Sequence, residues 1–351
     1  MRVNGNELLC VGCSCFYEGR FWFSHATSNR IYYSDGECNG LARLFCTIDE
    51  EDDDIFLFGG LIPYGHWLYV FPKSAKFLYK INIINGAKVK INVWDDRFLS
   101  SDNKYFSGHI YKDKLFLFGS SYAVITVVDC ISDTSIFIKS ELEFAMKELM
   151  HPFPVFIKYT KKEYNKIFFP LCRKNYYGVI DCDSYCVEYK RIGHKPIGYC
   201  AIEKKDDDIW LISSKEGMVI KQNEKTSECF FYNEEADGNM RDFCASIMLG
   251  DNVVFLPYQK KGFWNLDRTG IKCFYKDVNA KNTSYYTKFE NGVFVSCFDR
   301  SYIIYKKRNI KKIYIFTHND TSVFDEGQKI IRENMDDNLE IYIASLLREE
   351  R

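Results

Sequence analysis

Short apolar runs separated by polar turns recur along the whole chain: Phe21–Phe23, Trp67–Val70, Leu115–Phe118, Ile167–Phe169, Ile209–Ile212, Val253–Leu256 and Val293–Val295. Aligned on one position they give the column Trp22, Trp67, Phe116, Phe168, Trp210, Val254 and Phe294, with steps of 45, 49, 52, 42, 44 and 40 residues. Thirteen residues downstream stand Asp35, Asp129, Asp181, Asn223, Asp267 and Lys307, while Asn82 lies fifteen downstream in the second unit. Asp and Asn open tight turns, because their side chains bond the backbone two residues on. One further apolar run lies between each aromatic and its Asp, and another follows the Asp. A fourth precedes the aromatic: Leu8–Phe16, Ile55–Leu61, Tyr105–Tyr111, Pro154–Tyr159, Ile197–Ile202, Phe243–Leu249 and Tyr285–Phe289. Runs this short, rich in aromatic and β-branched residues and bounded by turn formers, are strands.

Four strands per unit and seven units predict an all-β fold, a seven-bladed β-propeller of four-stranded antiparallel blades. A single blade leaves both faces uncovered, and radial stacking buries them without a long exposed edge. The predicted blades cover residues 7–47, 54–93, 104–139, 152–190, 196–232, 241–276 and 284–317, within one domain of residues 1–320. Gly36, Gly86, Gly217, Gly262 and Gly292 are expected in the hairpin turns. Two segments break the period. Leu142, Ala145, Met146 and Leu149 fall at helical spacing, which predicts a helical insert over 139–150. Ile331, Met335, Leu339, Tyr342 and Leu346 form an apolar stripe, which predicts a helical tail over 321–351 that packs on the propeller or docks on a partner.

Ile55-Phe-Leu-Phe-Gly-Gly60 resembles the apolar run and double glycine of Kelch repeats, and Leu115-Phe-Leu-Phe-Gly119 with Val127-Val-Asp129 is similar in outline. Kelch repeats carry the double glycine in most blades; this chain has one, on the first strand of its unit rather than the second. The resemblance covers the blade plan and brings no functional residues with it.

Composition narrows the function. Forty-seven basic and 48 acidic residues leave a net charge of −1, which argues against general nucleic-acid binding. An apolar share of 46% excludes disorder as the main state. The first residues, MRVNGNELLC, lack a basic start and a long apolar core, and no window is apolar for long enough to form a membrane-spanning helix. Fourteen cysteines, mostly single within apolar runs (Cys46, Cys200, Cys229, Cys244, Cys273), are expected to be buried thiols of a reduced, cytoplasmic protein.

Chemistry is sparse. Cys10, Cys13 and Cys15 lie on a predicted strand with no second ligand pair, as do Cys182 and Cys186 across a turn, so no metal or cofactor is expected. Nucleophile-elbow, Walker and dinucleotide-binding motifs are missing. The acidic runs 49–54 and 206–208 are expected to be solvated turns. Bases do recur in the turns between second and third strands: His25 and Arg30, Lys73 and Lys76, Arg173 and Lys174, Lys215, Lys260 and Lys261, and Arg300. Equivalent turns of a radial repeat lie on one face, so these predict a partial basic ring. The expected function is therefore a non-catalytic binding or scaffold protein that uses one face for a protein or an anionic ligand. The alternatives are a lyase- or hydrolase-type propeller enzyme, with His25, His66, Arg97, His151 and His194 as residues near the channel mouth, or a carbohydrate-binding propeller. A lectin built from repeats carries the same pocket residues in each blade, and these turns differ.

Overall fold

A computed structural model describes residues 2–3, 6–36, 40–54, 56–93, 104–119, 124–139, 159–171, 175–192, 198–213, 218–223, 226–231, 243–249, 252–257, 263–267, 270–275, 283–289, 292–297, 302–306 and 309–317. It shows a seven-bladed β-propeller of four-stranded antiparallel blades. Blade 1 comprises Val11–Tyr17, Arg20–His25, Arg30–Asp35 and Leu41–Thr47; blade 2, Phe58–Tyr64, Trp67–Pro72, Leu78–Asn82 and Lys88–Ile91. Blade 3 comprises Tyr105–Tyr111, Lys114–Gly119, Val124–Asp129 and Ser135–Lys139; blade 4, Lys161–Glu163, Lys166–Pro170, Tyr176–Asp181 and Val187–Arg191. Blade 5 comprises Tyr199–Lys205, Asp208–Ser213, Met218–Gln222 and Ser227–Phe231; blade 6, Phe243–Leu249, Asn252–Pro257, Phe263–Asp267 and Gly270–Tyr275. Blade 7 comprises Thr283–Phe289, Gly292–Cys297, Tyr302–Lys306 and Asn309–Ile313. The insert predicted over 139–150 lies outside the described residues beyond Lys139, as does the predicted tail.

The first strand of each blade is the inner one, and the inner strand of blade 7 packs against that of blade 1. The ring is then tied shut. Phe316–Thr317 pairs in parallel with Leu41–Ala42 on the outer edge of blade 1, and the Leu9 amide donates to the Ile315 carbonyl at 2.7 Å. The core lies between blades. Trp22 is buried against blade 2, Phe116 against blade 4, Phe168 against blade 5, Trp210 in the cluster shared by blades 5 to 7, and Phe294 against Phe21 and Phe23 of blade 1.

Blade 2 corrects the aligned column. Trp67 opens its strand opposite Asn82 and is half-buried, whereas Tyr69 occupies the place of Trp22 and Phe116 and is fully buried. Asn82 then stands thirteen residues beyond Tyr69, at the common spacing. The Asx turns form as expected: Asp129 Oδ1 accepts the Ile131 and Ser132 amides, Asp181 Oδ1 those of Asp183 and Ser184, and Asn82 Oδ1 those of Ile84 and Asn85. Each turn closes four residues later on a positive φ, at Asp133, Tyr185 and Gly86. Gly292 is not in a turn; it starts a strand of blade 7, where an added Cβ would lie 2.6 Å from the Tyr305 carbonyl.

One repeated device was not expected. In every blade except blade 4, pairing slips five residues before the end of the inner strand, at Gly12, Gly59, Phe106, Cys200, Cys244 and Ser284. Such a bulge bends its strand and increases the local twist. Gly59 and Gly60 serve it by close approach, since a Cβ on them would meet the Tyr105 carbonyl at 2.0 Å and the Phe71 ring at 2.1 Å. The double glycine is thus a packing feature of an inner strand. Blade 4 also departs from expectation: its inner strand is Lys161–Glu163 rather than a run ending at Tyr159, and Tyr159 instead bridges to Ala201 of blade 5.

Candidate functional site

The site is built from inner strands, so it is described from the residues nearest the axis outward. Tyr159, just before blade 4, stacks on Tyr286 of blade 7 with ring centroids 5.1 Å apart. Two nonadjacent blades meet in this way only across the axis. Beside this stack lies a cavity of about 150 Å³, walled by Ile62 and Phe71 of blade 2, Phe106 of blade 3 and the tyrosines 159, 285 and 286. Its polar edge consists of Ser107, His109 and Thr160. The Thr160 hydroxyl bonds the Ser107 hydroxyl and lies 2.7 Å from His109 Nε2. Burial and the charges of Lys162 and Lys161 lower the His109 pKa to about 4, against the weaker opposing effect of a hydrogen bond to the Thr160 backbone.

Further along the inner strands the lining becomes charged. Two residues before the first hairpin stand His109 in blade 3, Lys161 in blade 4 and Glu203 in blade 5. Glu203 is buried and pairs with Lys161 and, at 3.5 Å, with Lys288 of blade 7. Lys204 of blade 5 pairs with Glu163 of blade 4 at 3.0 Å.

Of the predicted basic face, His25, Arg30, Lys73 and Lys76 lie within the described chain. His25 ends the second strand of blade 1, and its Nδ1 accepts the Thr27 amide at 3.3 Å. Lys73 follows the second strand of blade 2, with Nζ 4.5 Å from the Phe56 ring centroid and 5.6 Å from that of Phe106, a wall of the cavity. Burial lowers its pKa, against the opposing charge of Asp54. Arg173, Lys174, Lys215, Lys260, Lys261 and Arg300 lie outside the described residues, as do Arg97, His151 and His194. His66 sits in the two-residue hairpin between the first and second strands of blade 2, at the opposite end of the blade from the turn after His25, so these histidines do not converge.

The acidic run 49–54 is more than a solvated turn. Glu51 is buried, and its Oε1 accepts the Lys76 and Phe77 amides and the Tyr79 hydroxyl. Cys229 is exposed rather than buried, because it lies on an outer strand. All nine cysteines whose side chains are described are free thiols, and no group of three or more potential metal ligands occurs among the described residues. No helix among them is long and apolar enough to cross a membrane.

No protein-family model and no curated protein matches the chain by sequence. Solved structures match it by shape. Virginiamycin B lyase from Staphylococcus aureus aligns with a TM-score of 0.57 at 12% identity, over 75% of this chain and 85% of that one. The computationally designed Ika8 protein aligns at 0.57 and 9% identity, over 88% and 87%. BamB from Moraxella catarrhalis aligns at 0.51 and 12% identity, over 89% and 90%. Identities this low establish the shared propeller fold alone.

Proposed function

We propose that the protein is a non-catalytic binding or scaffold propeller that engages an acidic protein segment or an anionic ligand with the face bearing the second-to-third-strand turns. The observation that carries this reading is the electrostatic setting of His109. Thr160 and His109 have the spacing of a nucleophile and its base, and a lyase- or hydrolase-type reading would start from that pair. Such a base needs a pKa near the working pH and a partner that stabilises its imidazolium. Here burial first, and then the charges of Lys162 and Lys161, oppose protonation, and the pKa falls to about 4. A neutral imidazole tied to the Thr160 hydroxyl, in a small pocket walled by aromatic rings, is suited to holding a group rather than transforming it.

Lys73 links that pocket to the face, since its ammonium lies over a ring of the pocket wall. The bases His25, Arg173, Lys174, Lys215, Lys260, Lys261 and Arg300 complete the proposed surface, and a ring of positive charge raises the association rate of an acidic partner in a salt-dependent manner. Changing Lys73, Arg173, Lys174, Lys260 and Lys261 together to Glu should abolish partner capture from native extract at low salt. Capture and salt dependence unchanged in a folded variant would overturn the proposal.

A further inference from the structure

Glu203 has no capacity left. Its Oε1 holds the Lys161 ammonium and the Lys204 amide at 3.2 Å; its Oε2 holds the Met248 amide at 3.0 Å and the Lys288 ammonium at 3.5 Å. A carboxylate offers roughly four lone-pair sites, so four donors saturate it. One negative charge is thereby shared between ammonium groups from blades 4 and 7. The carboxylate of Glu163 is engaged by Lys204. Lys162 gives its Nζ to the Ile110 carbonyl at 2.8 Å, a neutral acceptor. Lys162 follows Lys161 in the strand and so faces the other way, whereas among the described residues Lys161 and Lys288 set two positive charges against Glu203.

An excess of charge in a partly desolvated position is costly unless something compensates it. Burial lowers the pKa of Lys288, with Lys161 adding to the effect and Glu203 opposing it. Lys161 also acts on His109. Yet the ammonium groups are not sealed off, since side-chain exposure is 25% for Lys161 and 39% for Lys288. Each ammonium has three N–H donors, and Glu203 does not take them all.

We propose that the axis carries a binding site for a small anion, a phosphoryl group or a dicarboxylate, held between Lys161 and Lys288. Such an anion offers oxygens to both ammonium groups while Glu203 stays paired with them. The site lies beyond the aromatic pocket along the inner strands, draws on none of the face lysines, and stands or falls separately from the binding reading above.

The test is thermal unfolding of the full chain with inorganic phosphate or malonate at fixed ionic strength, so that general salt effects cancel. A saturable rise in Tm is expected. Preference for phosphate assigns the site to a phosphoryl group, and preference for malonate assigns it to a dicarboxylate. Lys288→Gln and Lys161→Gln each keep a donor toward Glu203 but remove a charge, and should weaken affinity by about tenfold or more. Lys288→Gln alters the more exposed of the two side chains, so it tests the site even if Lys161→Gln fails to fold. Lys76→Gln, in the turn between the second and third strands of blade 2 and paired with Asp52, should bind like the parent. No saturable shift with either anion, or unchanged affinity in Lys288→Gln, would overturn the proposal.

Discussion

At the scale of single residues, His109 shows how an ordinary side chain acquires an unusual property from its neighbours. Its inner strand places it beside Thr160 and within the field of Lys161 and Lys162, so protonation is opposed by burial first and by charge second. The folded pKa near 4 lies below the ordinary value of 6.5. Between those values the unfolded chain binds more protons, so His109 lowers stability as pH falls. The contribution is fully present above pH 6.5 and is lost progressively as pH drops toward 4, by up to about 3 kcal/mol. His109→Gln cannot titrate and should flatten this part of the profile. Urea midpoints of parent and variant from pH 7 to 4 should diverge by that amount; parallel profiles would show that the imidazole is more hydrated than its surroundings imply.

At the scale of the strand and blade, the two aromatics of the second blade make the register measurable. Tyr69 faces blade 3 from a buried position, while Trp67 starts the strand and lies half-exposed under the Lys80 ammonium. Tyr69→Ala should therefore cost about 3–5 kcal/mol in urea unfolding, and Trp67→Ala clearly less, although Trp is the larger residue. Equal losses would mean that blade 2 follows the register of its tryptophan. The same pair shows what was legible in the chain. The blade plan was legible because six of the seven blades place an aromatic at the aligned position of the second strand and six open a turn with Asp or Asn, and both demands recur at a nearly fixed distance. The register of blade 2 was hidden because Trp67, two residues early, satisfied the aromatic pattern while breaking the distance to Asn82. The axial cluster was hidden for another reason: Lys161, Glu203 and Lys288 come from three blades and share no motif. A signal did exist. A carboxylate in the middle of the apolar strand Tyr199–Lys205, and two lysines in an inner strand, are positions that a core strand does not tolerate without partners.

At the scale of the whole molecule, stability depends on closing the ring, because a blade is covered only by the blades beside it. The seam between blades 7 and 1 carries specific polar links as well as the Phe21, Phe23 and Phe294 contacts. Ser14 Oγ lies 2.6 Å from Thr287 Oγ1. The buried Tyr302 hydroxyl donates to the Leu9 carbonyl at 2.5 Å and accepts the Val11 amide at 3.1 Å, so one side chain of blade 7 holds the chain entering blade 1. Tyr302→Phe keeps the ring packing and removes only the oxygen. It leaves a buried amide and a buried carbonyl short of a partner, at a cost of about 1–3 kcal/mol. Because the seam is one link of a closed circle, loosening it uncovers faces of both blades and lowers the stability of the ring as a unit. The urea midpoint should fall to the same extent by far-UV circular dichroism and by the fluorescence of tryptophans distributed over blades 1, 2, 5 and 6. Tyr164→Phe, at an exposed hairpin of blade 4, should leave that midpoint unchanged. If Tyr302→Phe instead splits the transition, so that one probe moves and the other does not, the blades unfold independently and closure at this seam does not govern the stability of the ring.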